Sequence, residues 1–245
     1  MRTNNIIFSW SIRLFIPLML LLVSSQLNAQ NSMEATNKLD AGQQYMAGIS
    51  ALTAVGNIDS LTVQLNNGLD AGLTINEIKE TLVHLYAYAG FPRSLNGLTA
   101  FMQVVEDRKK AGKQDVEGRN ASLLPADTNM LELGTEVQTK LVGQPVSGGV
   151  MAFAPAIDRY LKEHLFGAVF ASDVLTYQQR ELVTVSALAA MTGVEPQLQS
   201  HFSIGMNTGL TKSQLEGILD IIEKNISKAQ ADKGRAVLSK ITVKN

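Results

Sequence analysis

The chain has no cysteine. That absence excludes thiol chemistry, including peroxide reduction through a thiolate and a sulfenic acid. It also excludes disulfides, so the fold must stand on its core, for which 245 residues are enough. Histidine is scarce: His84, His164 and His201 are scattered and no two share ligand spacing, so no metal site is predicted. A long basic run is missing too. With 21 Lys+Arg against 22 Asp+Glu and a net charge of -1, the chain lacks the electrostatic footprint of a nucleic-acid binder. What is present is ordinary for a globular protein: 45% hydrophobic and 18% charged residues, enough to bury a core.

The segment from Met1 to Ala29 reads differently from the rest. Arg2 and Arg13 are the only charges, the run Leu14 to Val23 is apolar, and Leu27-Asn28-Ala29 ends on a small residue. A basic start, a short apolar centre and a small residue at the end are the parts of a secretory signal. The alternative, a permanent anchor, needs about 20 apolar residues. Residues 1–29 are therefore predicted to be a cleaved signal, with an exported, periplasmic mature chain that begins at Gln30. Cleavage removes Arg2 and Arg13, which takes the net charge from -1 to -3, and also removes Trp10, the single tryptophan.

Beyond Ala29 the periodicity is helical. Ile78, Leu82, Leu85 and Ala89 recur at helical spacing, as do Leu215, Ile218, Leu219 and Ile222. Both segments open alike, with Gly72-Leu73-Thr74 and Gly209-Leu210-Thr211. Each glycine can close the preceding helix in a left-handed conformation, and each threonine can cap the next. Glu77 and Gln214 stand three positions on and complete a capping box in both places. Gly68 and Gly205 are separated by the same offset as Gly72 and Gly209, which marks an internal duplication. The fold class is thus all-α, a duplicated helical unit: residues 30–113 form the first repeat, 114–153 a bridging segment with an amphipathic helix around Leu131–Leu141, and 154–245 the second repeat.

The copies have diverged in complementary ways. Copy one carries His84, Tyr86 and Tyr88, whose equivalents between Ile221 and Ala229 keep none of these side chains. Copy two carries Arg180, Glu181 and His201, against Gln43, Gln44 and Gln64 in copy one. This suggests one composite site between the copies, although drift alone would leave the same pattern.

The segments Phe153 to Asp158, His164 to Gly167, Arg180 to Thr184 and Pro196 to His201 resemble the carboxymuconolactone decarboxylase family, as does Gly72 to Pro92. The resemblance spans nearly all of the mature chain. It implies an all-helical fold that builds homo-oligomers, with pockets between helices and no bound cofactor. A related branch, similar to the alkylhydroperoxidase reductant proteins, works through a Glu and a Cys-x-x-Cys-x-x-x-His motif. Here Glu181 and His201 match that pattern, but Val194 and Gln197 stand at the cysteine positions. Thiol peroxidase activity is therefore not expected. The decarboxylase branch needs no thiol. Its substrate class is a lactone acid that loses carbon dioxide, with a proton delivered to carbon and charge held on a carbonyl oxygen.

The candidate catalytic residues are His201, Glu181 and His84, with Tyr88 and Arg93 as candidate substrate-binding residues. His201, inside a helix that starts at Pro196, is the expected proton donor; otherwise it is a plain core or surface histidine. Glu181 would tune it, or would only complement a helix dipole. Counted along an antiparallel hairpin, Glu181 lies about 18 Å before the Gly193 turn and His201 about 7.5 Å after Pro196, so a water or third group is expected to link them. His84 and Tyr88 are four apart on one face and would line the pocket. Arg93, after Pro92 at an expected helix break, would clamp a carboxylate or simply be solvated. His164 reads as a surface residue, and Met46, Met102, Met151, Met191 and Met206 as core filler. Two functions stay open: a cofactor-free lyase acting on a small lactone or keto acid, and a non-catalytic periplasmic module that binds a metabolite or partner chain. In both the partner is a small molecule or protein, with no nucleic acid and no membrane once the signal is removed.

Overall fold

Local sequence signals place the helix ends. Asp40, Asn57, Thr74, Asn129, Thr176, Thr211 and Ser227 each accept a hydrogen bond from a backbone N–H in the first turn of the following helix. The Thr74/Glu77 and Thr211/Gln214 capping boxes both form, and Asp40/Gln43 and Thr176/Gln179 add two more. Gly72 and Gly209, at φ 96° and 102°, turn the chain before two of these caps.

The computed structural model describes residues 38–241. The predicted signal over residues 1–29 and the start at Gln30 lie outside them. The helices are α1 (Ala41–Val55), α2 (Ile58–Asp70), α3 (Ile75–His84), α4 (Tyr86–Ala89), α5 (Phe91–Lys110), α6 (Met130–Val142), α7 (Gly149–Phe153) and α8 (Pro155–Tyr160). A π-helical segment, π1 (Leu161–Val169), follows directly, then α9 (Tyr177–Ala190), α10 (Glu195–Asn207), α11 (Lys212–Asn225) and α12 (Lys228–Leu238). No strand occurs among the described residues, and none of their helices is long and apolar enough to cross a membrane.

The duplication is visible in these limits. The starts of α2, α3 and α5 recur, all at one offset along the chain, as the starts of α10, α11 and α12. The helices α2 and α10 have 13 residues each. The two copies share one core, in which α1 packs chiefly against its counterpart α9. Both helices are buried nearly all round, from Met46 to Ala54 and from Arg180 to Ala190. Neither copy could bury its central helix alone, so the duplicated units form a single body.

The amphipathic stretch around Leu131–Leu141 is α6. It lies directly on π1, with Gly134 and Gly167 at the crossing. A β-carbon on Gly134 would collide with the carbonyl of Lys162, and one on Gly167 would sit 2.5 Å from the Met130 carbonyl oxygen. Two backbones approach there as closely as glycine allows. Val137, Leu141, Leu165, Phe166, Val169, Phe170 and Ile204 form a second, smaller core around this contact. It ties the bridging segment to α10, the helix that carries His201.

Candidate functional site

The central helix α9 carries charge where none is expected: Arg180 and Glu181 are both completely buried. Buried charges need partners, and these come from both copies. Glu181 Oε2 lies 2.8 Å from Nδ1 of His201 on α10. A carboxylate only accepts, so Nδ1 carries the hydrogen and donates it. His201 Nε2 makes no hydrogen bond to the described residues, and the ring is partly exposed. The pairing is direct, which corrects the expectation of an intervening water or third group. Measured to the helix ends, Glu181 lies about 13.5 Å before Ala190 and His201 about 9 Å after Glu195, an offset below one turn. The residues from Met191 to Val194 are turn and not helix, and Gly205 of α10 faces Glu181 Cβ.

Arg180 reaches the other way. Its Nη2 donates to Glu80 Oε1 and to the Ser172 carbonyl, both at 2.6 Å, and Nη1 lies 3.2 Å from His84 Nδ1. A guanidinium cannot accept, so His84 Nδ1 is bare and its Nε2–H donates to Thr184 Oγ1 at 2.8 Å. Burial first and then the Arg180 charge push the pKa of His84 well below the ordinary histidine value, which favours this neutral form.

Tyr88 joins the two halves. Its ring centroid lies 5.2 Å from that of His84 and 5.4 Å, edge-on, from that of His201. One phenol ring thus touches both imidazoles, one from each copy. The Tyr88 hydroxyl is buried and lacks a well-formed protein partner, although the Thr184 hydroxyl is close enough to act on it. Burial, then the charge of Glu181, raises its pKa far above the usual phenol value, so it is an O–H donor at every ordinary pH.

Tyr88 and His201 open onto one cavity of about 830 Å³. Its walls come from α4, α6, the loop to α7, α7, α8, π1 and α10. Gln138 of α6 is 4% exposed, lines the cavity and leaves its Oε1 without a partner.

The five candidate residues therefore divide. His201, Glu181 and Tyr88 come together at this cavity, with Glu181 behind His201. His84 was expected to line the pocket, but it stands behind Tyr88, fully buried with both ring nitrogens engaged. Arg93 is elsewhere: it is exposed and donates to the Ala54 carbonyl at the end of α1, where a cation satisfies an orphan carbonyl. His164 is exposed and bonds the Tyr86 hydroxyl. Arg180, Glu80, Thr184 and Gln138 were not assigned roles from sequence. The signal for Gln138 was present, since it shares the buried face of α6 with Gly134, Val137 and Leu141.

A model of the Carboxymuconolactone decarboxylase family matches residues 27–103 and 155–227, more than half of the chain and one segment per copy. The chain belongs to the carboxymuconolactone decarboxylase family. It is also similar to Peroxisomal protein 2 of Saccharomyces cerevisiae, 23% identical over 164 residues. That alignment covers 58% of this chain and 58% of the yeast protein, so this chain spans less than two thirds of that relative.

In this family member the duplicate of the site is dismantled. The positions equivalent to Glu181, His201, His84 and Tyr88 are Gln44, Gln64, Ile221 and Asn225. Gln64 lies over Gly48 and donates to Asn225 Oδ1 at 3.5 Å, while Gln44 donates to the Leu39 carbonyl. Neutral amides satisfy one another where the other half keeps a carboxylate, an imidazole and a phenol.

Proposed function

We propose that this protein is a cofactor-free lyase that releases carbon dioxide from a small lactone or keto acid at the cavity shared by His201 and Tyr88. The observation that carries this reading is the pairing of His201 with the buried Glu181, which leaves Nε2 without a protein partner beside an unpartnered phenol. In such a step the bond from the carboxylate carbon to the adjacent carbon breaks. Its electron pair passes to the neighbouring carbonyl as an enolate, whose oxygen accepts a hydrogen bond from Tyr88. His201, in the form that carries protons on both ring nitrogens, then delivers the Nε2 proton to carbon and takes another from water, while Nδ1–H stays on Glu181. Glu181 orients the ring through Nδ1. His84 and Arg180 touch no substrate; they position Tyr88 and α9.

Export as a chain beginning at Gln30, and assembly into a homo-oligomer, belong to the same proposal. The first rests on the basic, apolar and small-residue pattern of residues 1–29, the second on family resemblance.

A binding module without chemistry is the second reading. One feature favours it: none of the described cavity residues is Lys or Arg, so nothing clamps a carboxylate. Carbon dioxide release from a panel of 3-keto acids and lactone acids, together with deuterium exchange at the carbon next to a ketone carbonyl, separates the two. The lyase reading expects both activities, and both lost in His201→Asn. Neither activity in the wild-type protein would leave the binding module.

A further inference from the structure

The lining of the cavity carries information beyond the chemistry at His201 and Tyr88. None of its described lining residues is Asp, Glu, Lys or Arg. Its polar groups are neutral or histidine: Tyr88, Gln138, Gln144, Gln197, Asn207 and His201 among them. The rest of the lining is mostly aliphatic or aromatic, with Val142 at the end of α6, Val146 in the loop after it, Met151 on α7, and Leu161, Leu165 and Phe166 on π1. At about 830 Å³ the cavity sits near the upper end for small-molecule sites, well beyond what a compact ring acid fills.

The mouth repeats the pattern. Val150 and Ile157 line the cavity yet are 61% and 44% exposed. Beside them in the chain, Phe153 and Tyr160 are 89% and 64% exposed. A compact dianion would meet no Lys or Arg among the described lining residues, and would lose its hydration for little compensation. An apolar body would gain at every wall.

We propose that the natural ligand is a carbonyl compound with an extended apolar body and at most one carboxylate, and not a compact dicarboxylate. This rests on the lyase reading for the place of the carbonyl, beside Tyr88 and His201, but the preference itself is a property of the walls. The substrate class is thus a long-chain or ring-bearing 3-keto or lactone acid. Its product is the neutral ketone or lactone, which leaves through the apolar mouth.

The test is equilibrium displacement of the neutral fluorophore N-phenyl-1-naphthylamine from the purified protein by straight-chain methyl ketones of 6 to 13 carbons, with 2-oxoglutarate as the compact dianion. Affinity is expected to rise roughly 4-fold per methylene until the cavity is full, with no displacement by 2-oxoglutarate at millimolar concentration. Val146→Trp, in the loop between α6 and α7, should move the best chain to a shorter one. Ile157→Trp at the mouth provides a second such variant should the first fail to fold by circular dichroism. Displacement by 2-oxoglutarate comparable to that by an 11-carbon ketone, or an affinity flat in chain length, overturns the proposal. So does a length optimum unmoved in a folded tryptophan variant. Length-dependent binding without carbon dioxide release from the matching 3-keto acid would sink the lyase reading and leave the ligand class standing. Turnover of a compact 3-oxo dicarboxylate such as 3-oxoglutarate, with no ketone binding, would do the reverse.

Discussion

Nδ1 of His201 and Oε2 of Glu181 stand 2.8 Å apart, although the two residues sit on different helices and the carboxylate is wholly buried. The second oxygen of Glu181 has no partner, so the carboxylate has given up water for little besides this one ring. A stability role alone would not reward that arrangement, because burying a charge costs more than a single hydrogen bond returns. We expect His201→Asn to lower the turnover of a 3-keto acid by about 100-fold or more. Glu181→Gln should lower it too. The double variant should be no worse than His201→Asn alone, because the two residues act as one unit. Steady-state kinetics on the three variants decides it, and additive losses would argue against the dyad.

Arg180 ties the copies together, bonding Glu80 and His84 of one copy from the central helix of the other. Arg180→Met leaves Glu80, His84 Nδ1 and the Ser172 carbonyl without their donor. Breaking a buried ionic contact costs about 3–5 kcal/mol; since Glu80 keeps 18% of its side-chain surface in water, about 3 kcal/mol is expected. Urea denaturation measures it. A loss below about 1 kcal/mol would show that water replaces the guanidinium.

His84 links stability to pH. Its pKa in the folded protein is well below the ordinary value, so between the two values the unfolded chain binds a proton that the folded chain refuses. Stability therefore falls as pH drops below about 6.5, with a slope of at most about 1.4 kcal/mol per pH unit from this residue. In His84→Gln that contribution disappears. Thermal or urea denaturation between pH 7 and 5 should show a shallower dependence in the variant; parallel curves would contradict the neutral, buried imidazole.

Glycines in two helices should respond oppositely to alanine. At Gly134, where α6 meets π1, a β-carbon collides with backbone and nothing flexible can yield. Gly134→Ala should cost about 2 kcal/mol or more, as overpacking does, and should also disturb the cavity wall that α6 provides. At Gly217 on α11 the nearest atoms belong to the Leu39 side chain at 3.4 Å. Gly217→Ala should be neutral or stabilise by up to about 1 kcal/mol through helix propensity. Melting temperatures of the two variants compare them directly.

Much of the fold was legible because its signals are local. The capping boxes at Thr74 and Thr211, the glycines before them and the apolar face of α6 all lie within a turn or two of the residues they organise. The complementary loss of polar residues also pointed to one site between the copies, and Tyr88 and His201 do share a cavity. The errors arose where a distance had to be carried between helices. Carrying the helical rise past Ala190 to the Gly193 turn exaggerated the separation of Glu181 from His201. Assigning His84 by its spacing from Tyr88 gave the right face and the wrong depth. Arg93 met the end of α1, a neighbour with no signature near it in sequence.

By itself, the sequence determined the helical class, the duplication, the family and the exclusion of thiol chemistry, because periodicity, capping and residue identity are properties of neighbours along the chain. Tertiary structure alone decided that Arg180 bonds His84, that Glu181 bonds His201, and that the bridging helix and π1 wall the cavity. Those contacts join residues far apart along the chain and depend on crossing geometry, including two glycines at one helix contact. No local pattern encodes that geometry; it follows from how one shared core is packed.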